Sequence, residues 1–227
     1  MLSAIIVAAG SGQRMGFDKL LALLGDKPVI AHTLEAFEQT ESVAEIVLVG
    51  REDQLEKLRE VVLDARLKKV RHVIAGGTHR HDSVRFGLER LGAGTSYVAV
   101  HDAARPLVLP EQIERTFALA QEHGAAALAA PITDTLKRAG ADSIVAGSVD
   151  RVGLYAMQTP QIFAKKLLVD AYAAVAAKSL SVTDEVSAVE LLGAKVLLVP
   201  NDEVNLKITF PRDLWLAQSA LTRRSSP

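Results

Sequence analysis

Three loops in this chain place cations, carboxylates and glycines where chemistry on an anion could be done. The first, Ala9-Gly10-Ser11-Gly12-Gln13-Arg14-Met15-Gly16, follows the apolar run Ser3 to Ala8 without a break, and Lys19 comes shortly after Arg14. Small residues at Ala8, Ala9, Gly10 and Gly12 let the backbone bend tightly and bring its N–H groups near an anion. Arg14 and Lys19 add positive charge beside those amides, a pairing that suits a polyphosphate. The second loop, Gly76-Gly77-Thr78-His79-Arg80-His81-Asp82-Ser83, also joins a strand to a helix. Paired glycines there can bring backbone amides to the edge of a base, and Ser83 offers a hydroxyl. The third, His101-Asp102-Ala103-Ala104-Arg105-Pro106, ends another strand. A carboxylate at Asp102 can hold a magnesium ion that bridges phosphates, and Arg105 can hold a phosphate oxygen.

The first loop is neither a Walker A loop, which ends in Gly-Lys-Ser/Thr, nor a dinucleotide fingerprint, which needs glycine where Met15 stands. Simpler readings of each loop stay open. They are a strand-to-helix turn with two solvated cations, a helix capped by Asp82 or Ser83, and an Asp102–Arg105 ion pair that only shapes its own loop. His79, Arg80 and His81 read equally as a solvated cluster, and His101 as a packed strand-end residue.

The elements that must position these loops alternate. Strand-like runs at residues 3–8, 45–49, 70–75, 97–101 and 125–130 are separated by amphipathic helical stretches at 28–39, 52–63, 82–91 and 110–123. This alternation predicts a single α/β, Rossmann-like domain over residues 1–227, with a mainly parallel sheet and helices on both faces. In such sheets ligands sit beyond the carboxyl ends of the strands, where all three loops fall. The rhythm breaks at about 132–157. There Thr135 to Arg138 and Ser143 to Val145 flank the turn-like Ala139-Gly140-Ala141-Asp142, and residues 149–157 continue extended. The pattern predicts an inserted β-hairpin arm, too small to bury both faces alone and therefore expected to pack on a second copy of the chain. Helices at 165–177 and 184–192, a strand at 195–199 and a last helix from Pro211 complete the reading, with a frayed tail from Arg223.

Composition limits the function classes. The chain has 227 residues, 49% apolar and 23% charged, enough for one large domain with a substantial core. A formal charge of −1 argues against a general nucleic-acid or anionic-membrane surface, so any basic site must be local. With no cysteine, disulfides, thiolate metal sites and cysteine nucleophiles are excluded. The opening strand begins by residue 3 and no apolar run reaches membrane-spanning length. No signal peptide is expected, and a soluble cytoplasmic protein is the expectation.

Taken together and in order, the three loops resemble those of the 2-C-methyl-D-erythritol 4-phosphate cytidylyltransferases of non-mevalonate isoprenoid biosynthesis. The resemblance continues through Asp134-Thr135, Val149-Asp150-Arg151, Gln158-Thr159-Pro160-Gln161, Thr183-Asp184-Glu185 and Asn205-Leu206-Lys207-Ile208-Thr209. It implies transfer of CMP from CTP to 2-C-methyl-D-erythritol 4-phosphate with magnesium, in a homodimer joined through the arm. By the same resemblance Arg14, Lys19 and Lys207 are the catalytic cations. Ala8, Ala9, Gly10, Gly12, Gly76, Gly77, Arg80, Ser83, Asp102 and Ala103 bind CTP, and Asp102 holds the metal. Arg105, Thr135, Thr159, Thr183 and Lys207 line the acceptor pocket, to which Arg151 is delivered by the neighbouring subunit. Two departures stand out: the stretch from Arg14 to Lys19 is shorter than the family's usual spacing, and Thr78 replaces a frequent acid. No fused cyclase domain is expected within this length. Alternatives are a ribitol 5-phosphate cytidylyltransferase, a sugar-1-phosphate nucleotidylyltransferase using another triphosphate, and a non-catalytic nucleotide-binding module.

Overall fold

The computed structural model describes residues 1–10, 17–178, 180 and 182–225. Strand β1 (Leu2–Ala8) leads to a small hairpin, β2 (Leu23–Leu24) and β3 (Lys27–Pro28), which turns at Gly25 with a φ of +69°. Helix α1 (Val29–Gln39) follows, then β4 (Val43–Gly50), α2 (Leu55–Asp64), β5 (Val70–Ala75), α3 (Arg80–Leu88), β6 (Tyr97–Asp102), α4 (Pro110–His123) and β7 (Ala125–Pro131). After these come β8 (Leu136–Ala139), β9 (Val145–Val149), β10 (Tyr155–Ala164), α5 (Lys165–Ala177), α6 (Glu185–Glu190), β11 (Leu197–Pro200) and α7 (Pro211–Ser225).

Among the described residues, seven strands form one sheet in the order β11-β7-β10-β6-β1-β4-β5. The β1–β4, β1–β6, β4–β5 and β11–β7 pairs are parallel, while β10 runs antiparallel to both its neighbours. The predicted mainly parallel, helix-flanked sheet is therefore present. Side chains alternate across it, as a two-residue period requires. Leu2, Ala4, Ile6 and Ala8 of β1 pack into one layer with Phe37 and Ile113, while Ile5 packs into the other with Val84 and Leu168. Strand β7 is nearly all alanine and buried on both faces, so small side chains let helices approach closely on each side.

Local signals fix the helix ends. Pro110 opens α4, the Gln112 carbonyl oxygen accepts the Leu109 N–H at 3.0 Å, and Gly124 closes the helix in the left-handed region at φ +81°. Helix α3 starts two residues before the expected Asp82, because the Asp82 carboxylate accepts the His79 N–H at 3.1 Å. Arg80 is consequently a first-turn helical residue rather than part of a loop. The larger departure is β10. The extended stretch expected to end at residue 157 runs on as β10 to Ala164, through Pro160, although proline cannot donate to a ladder. A register shift lies between Met157 and Gln161, so the β7 ladder skips Pro160.

The expected arm is present as an isolated antiparallel pair, β8 with β9. Much of its surface is exposed, including Ile144, Val145 and Val152. Helix α3 must lie close on β1 for its first turn to border the same cavity as Ala9 and Gly10, and Gly87 permits this. A Cβ built at Gly87 falls 2.7 Å from Cγ2 of the fully buried Ile5. Gly87→Val should therefore lower unfolding free energy by roughly 2 kcal/mol through overpacking, measured by urea denaturation. A midpoint equal to that of the wild type would show that the helix is not held by this contact.

Candidate active site

Asp102 ends β6, at the carboxyl edge of the sheet, and only 7% of it is exposed. Its Oδ1 accepts from Arg80 Nη1 at 2.8 Å, and its Oδ2 receives Arg105 Nε at 3.3 Å and Lys207 Nζ at 3.0 Å. These cations come from the first turn of α3, the loop after β6 and the segment between β11 and α7. Burial alone would raise the Asp102 pKa, but Arg80, Lys207 and Arg105 together hold the carboxyl below the usual carboxylate range. Burial lowers the Arg105 pKa, opposed by Asp102.

The cluster is supported from two sides. Arg80 Nη2 donates to Glu185 Oε2 at 2.7 Å, and Glu185 Oε1 accepts from the Tyr172 hydroxyl at 3.0 Å. Glu185 is fully buried, and burial raises its pKa against the pull of Arg80. For Arg80 burial works downward, but Glu185 and Asp102 prevail and raise its pKa. On the other side, the Asp102 N–H donates to Thr159 Oγ1 at 3.1 Å, and Thr159 Oγ1 lies 3.0 Å from His101 Nδ1. His101 Nε2 faces the Arg105 carbonyl at 3.3 Å. A carbonyl can only accept, so Nε2 carries the proton and Nδ1 accepts from the Thr159 hydroxyl. His101 is fully buried against Phe37, and burial pushes its pKa down to about 3. It is a neutral strut, in keeping with the strand-end reading.

Two cavities meet at Asp102. One of about 640 Å³ is lined by Ala8, Ala9, Gly10, Lys19, Gly77 and Ser83. The other, about 590 Å³, is lined by Arg105, Gln158, Thr159 and Thr183. Arg80, Asp102 and Lys207 border both. Lys19 reaches the same junction, its Nζ donating to the Ile208 carbonyl at 2.8 Å, next to Lys207.

Several expected details change. The Gly76 N–H donates to Gly50 O at 2.8 Å and the Gly77 N–H to Ser83 Oγ at 3.2 Å, so neither amide is left for a base edge. These glycines serve close approach instead. A Cβ at Gly76 would lie 2.6 Å from Ala9 Cβ, and one at Gly77 would lie 2.3 Å from Asp82 Cβ. The Ser83 hydroxyl is spent on this loop, contacting the Gly77 N–H and the His79 carbonyl. Ala103 does not line either cavity. It is fully buried, its N–H donating to Val7 O and its carbonyl accepting from Thr33, and Ala104 faces the first cavity. Thr159 borders the second cavity, but its hydroxyl proton is committed to His101. Thr183 does not cap α6. Asp184 does, accepting from the Ser187 N–H at 2.9 Å, and Thr183 remains exposed beside the second cavity.

Thr135 and Arg151 sit on and beside the arm, both exposed, and Arg151 donates to the Thr133 carbonyl. Neither borders either of the two cavities described above. Arg14 and Gly12 lie outside the described residues. Glu185 and Tyr172 were missed as site residues, although the Thr183-Asp184-Glu185 run marks the place. Among the described residues, no three histidine, aspartate or glutamate side chains group as a metal site, and Asp102 is the one carboxylate that lines the first cavity.

The sequence model of the 2-C-methyl-D-erythritol 4-phosphate cytidylyltransferase family matches residues 2–223. A 2-C-methyl-D-erythritol 4-phosphate cytidylyltransferase of Desulforamulus reducens is 40% identical, over 98% of this chain and 96% of its own. The bifunctional enzyme IspD/IspF of Desulfotalea psychrophila is 41% identical over 99% of the chain, which spans 58% of that protein's length. Among solved structures, the 4-diphosphocytidyl-2C-methyl-D-erythritol synthase of Anaerococcus prevotii superposes with a TM-score of 0.86 at 32% identity, covering 98% of this chain and 96% of that one. With the matching family model, and with a sheet whose carboxyl edge presents this cationic junction, the chain belongs to the 2-C-methyl-D-erythritol 4-phosphate cytidylyltransferase family and is a nucleotidyltransferase.

Proposed function

We propose that the two cavities hold CTP and 2-C-methyl-D-erythritol 4-phosphate, and that CMP passes between them at the Arg80–Asp102–Lys207 junction. The observation that carries this reading is that these three residues border both cavities, so the α-phosphorus of one ligand and the phosphate of the other can meet there. An acceptor phosphate oxygen attacks the α-phosphorus in line, the bond from that phosphorus to the bridging oxygen breaks, and pyrophosphate leaves. The acceptor phosphate is already anionic near neutral pH, so no protein base is needed. His101, buried and neutral, is not placed to be one. Positioning and charge stabilisation then carry the rate. Lys19, with Arg14, holds the triphosphate, and Lys207 stands where charge develops. Each well-aimed cation is worth on the order of 3 kcal/mol of transition-state stabilisation.

A divalent metal, magnesium by preference, suits a cavity that one carboxylate, Asp102, borders and that takes a polyphosphate ligand. Magnesium commonly keeps waters and takes one or two carboxylates plus substrate phosphates. Asp102 would be its protein ligand, and the ion would supply neutralisation of phosphate charge. CTP as a substrate is in keeping with a cytoplasmic enzyme.

Turnover tests the acceptor. Pyrophosphate release from CTP should be much faster with 2-C-methyl-D-erythritol 4-phosphate than with ribitol 5-phosphate. Equal or better release with ribitol 5-phosphate would reassign the acceptor, and no release with either would revive a binding-only module.

The arm supports a homodimer reading: its apolar side chains at Ile144, Val145 and Val152 are left uncovered by its own chain. Thr135 and Arg151 then belong to the partner's acceptor pocket, where a guanidinium suits a phosphate. Arg151→Ala and Lys19→Ala homodimers should both be nearly inactive, and co-folding the two variants should restore about a quarter of wild-type activity. Random pairing makes half the dimers mixed, each with one intact site of two. A mixture as inactive as its parents, with subunit exchange confirmed, would place Arg151 in the service of its own chain.

A further inference from the structure

The second cavity contains a neutral donor whose direction is set by a chain of amides. The Gln112 carbonyl oxygen accepts the Leu109 backbone N–H, so its Nε2 must be the atom that donates to Asn201 Oδ1 at 2.7 Å. Asn201 is oriented independently by one backbone loop, its Oδ1 accepting the Glu203 N–H at 3.2 Å and its Nδ2 donating to the Glu203 carbonyl at 2.9 Å. The same Nδ2 donates to Gln158 at 2.9 Å. Asn205 Nδ2 donates to the Thr159 carbonyl at 2.9 Å and to the same Gln158 atom at 3.2 Å. Two donors of fixed role converge on one atom of Gln158, so that atom is the carbonyl oxygen Oε1. Its Nε2, with two N–H groups, has no protein partner among the described residues and is not among their buried, unsatisfied atoms. Gln158 borders the second cavity. Its sequence neighbour Met157 offers a carbonyl to Arg105 Nη2 at 3.3 Å, and Asn205 stands two residues before Lys207.

We propose that Gln158 is a specificity-determining residue for the acceptor, its amide N–H groups donating to a hydroxyl oxygen of the polyol. The inference rests on the cytidylyltransferase reading and deepens it. A phosphate there has cations to meet, namely Arg105 and Lys207. A neutral two-donor amide beside them suits an uncharged oxygen, and the acceptor's hydroxyls are the uncharged oxygens it brings. The cost of orienting the donor is met before the substrate arrives, because three other amide side chains, themselves held by three backbone segments, already fix it. This order persists although it leaves Asn205 Oδ1 buried without a partner among the described residues.

The test is a cycle between enzyme and substrate. Steady-state kinetics are measured for wild type and Gln158→Met with the full acceptor and with each mono-deoxy analogue of it. Wild type should lose about tenfold in kcat/KM on one analogue. Gln158→Met should lose about tenfold on the full acceptor and no longer discriminate against that analogue, with KM for CTP within twofold of wild type. Methionine also removes the oxygen that Asn201 and Asn205 need, so Gln158→Glu is the companion, keeping Oε1 and replacing the N–H groups. If the methionine variant does not fold, the glutamate variant carries the test and should show the same loss of discrimination. An active variant that discriminates among the analogues as wild type does, or one that loses activity uniformly on all of them, would overturn the proposal. A wild-type protein that turns over no acceptor would remove the function reading and this inference with it.

Discussion

The site depends on one buried carboxylate gathering three cations. Arg80, Arg105 and Lys207 come from three different segments, and each brings a charged nitrogen within 3.3 Å of an Asp102 carboxylate oxygen at the carboxyl end of β6. Removing a carboxylate from water is expensive, and here its cost is offset by three charge-assisted contacts. Glu185 extends the same logic outward, since Arg80 bridges Asp102 and Glu185, and Tyr172 secures the far oxygen. Three cations against two carboxylates leave the junction positive before any substrate binds. An anionic ligand is what such a junction is built to accept.

That arrangement explains what the site lacks. A phosphate nucleophile needs no deprotonation, so the site needs no poised base, and the histidine nearest the chemistry is used as a strut. His101 is held by Phe37, Thr159 and the Arg105 carbonyl, which leaves it no free lone pair for a substrate proton. The same hydrogen bonds assign Thr159 to Asp102 rather than to a phosphate. The sheet provides the rigidity: β10 runs beside β6, so the Thr159 hydroxyl meets the Asp102 backbone across the strand pair.

Much of this was legible in the sequence, because alternation of apolar runs and amphipathic helices dictates a parallel sheet and its carboxyl edge dictates where loops carry chemistry. Lys19, Asp102, Arg105 and Lys207 stand together as expected. What escaped the sequence turns on single-residue phase and on long-range partners. Ala103 and Ala104 are identical in type and both buried, and only the strand's exit decides which one borders the first cavity. Glu185 reads as a helix-start acid, yet its burial follows from α5 and Arg80, which no local pattern reveals. The extension of β10 beyond residue 157 was not read, because the ladder's shift between Met157 and Gln161 appears only once β7 is in place. Gly76 and Gly77 were read for exposed amides, whereas the close approach of Ala9 and Asp82 is what requires them.

The most direct measurement is the unfolding free energy of Asp102→Asn without ligand, followed by urea denaturation with and without pyrophosphate. Asparagine keeps the shape but leaves Arg80, Arg105 and Lys207 facing a neutral amide. If Asp102 is what holds the three cations together, the variant should lose about 3 kcal/mol, and pyrophosphate should recover part of that loss by supplying the missing negative charge. A variant as stable as the wild type would contradict the account, because the cations would then be held in place without the carboxylate.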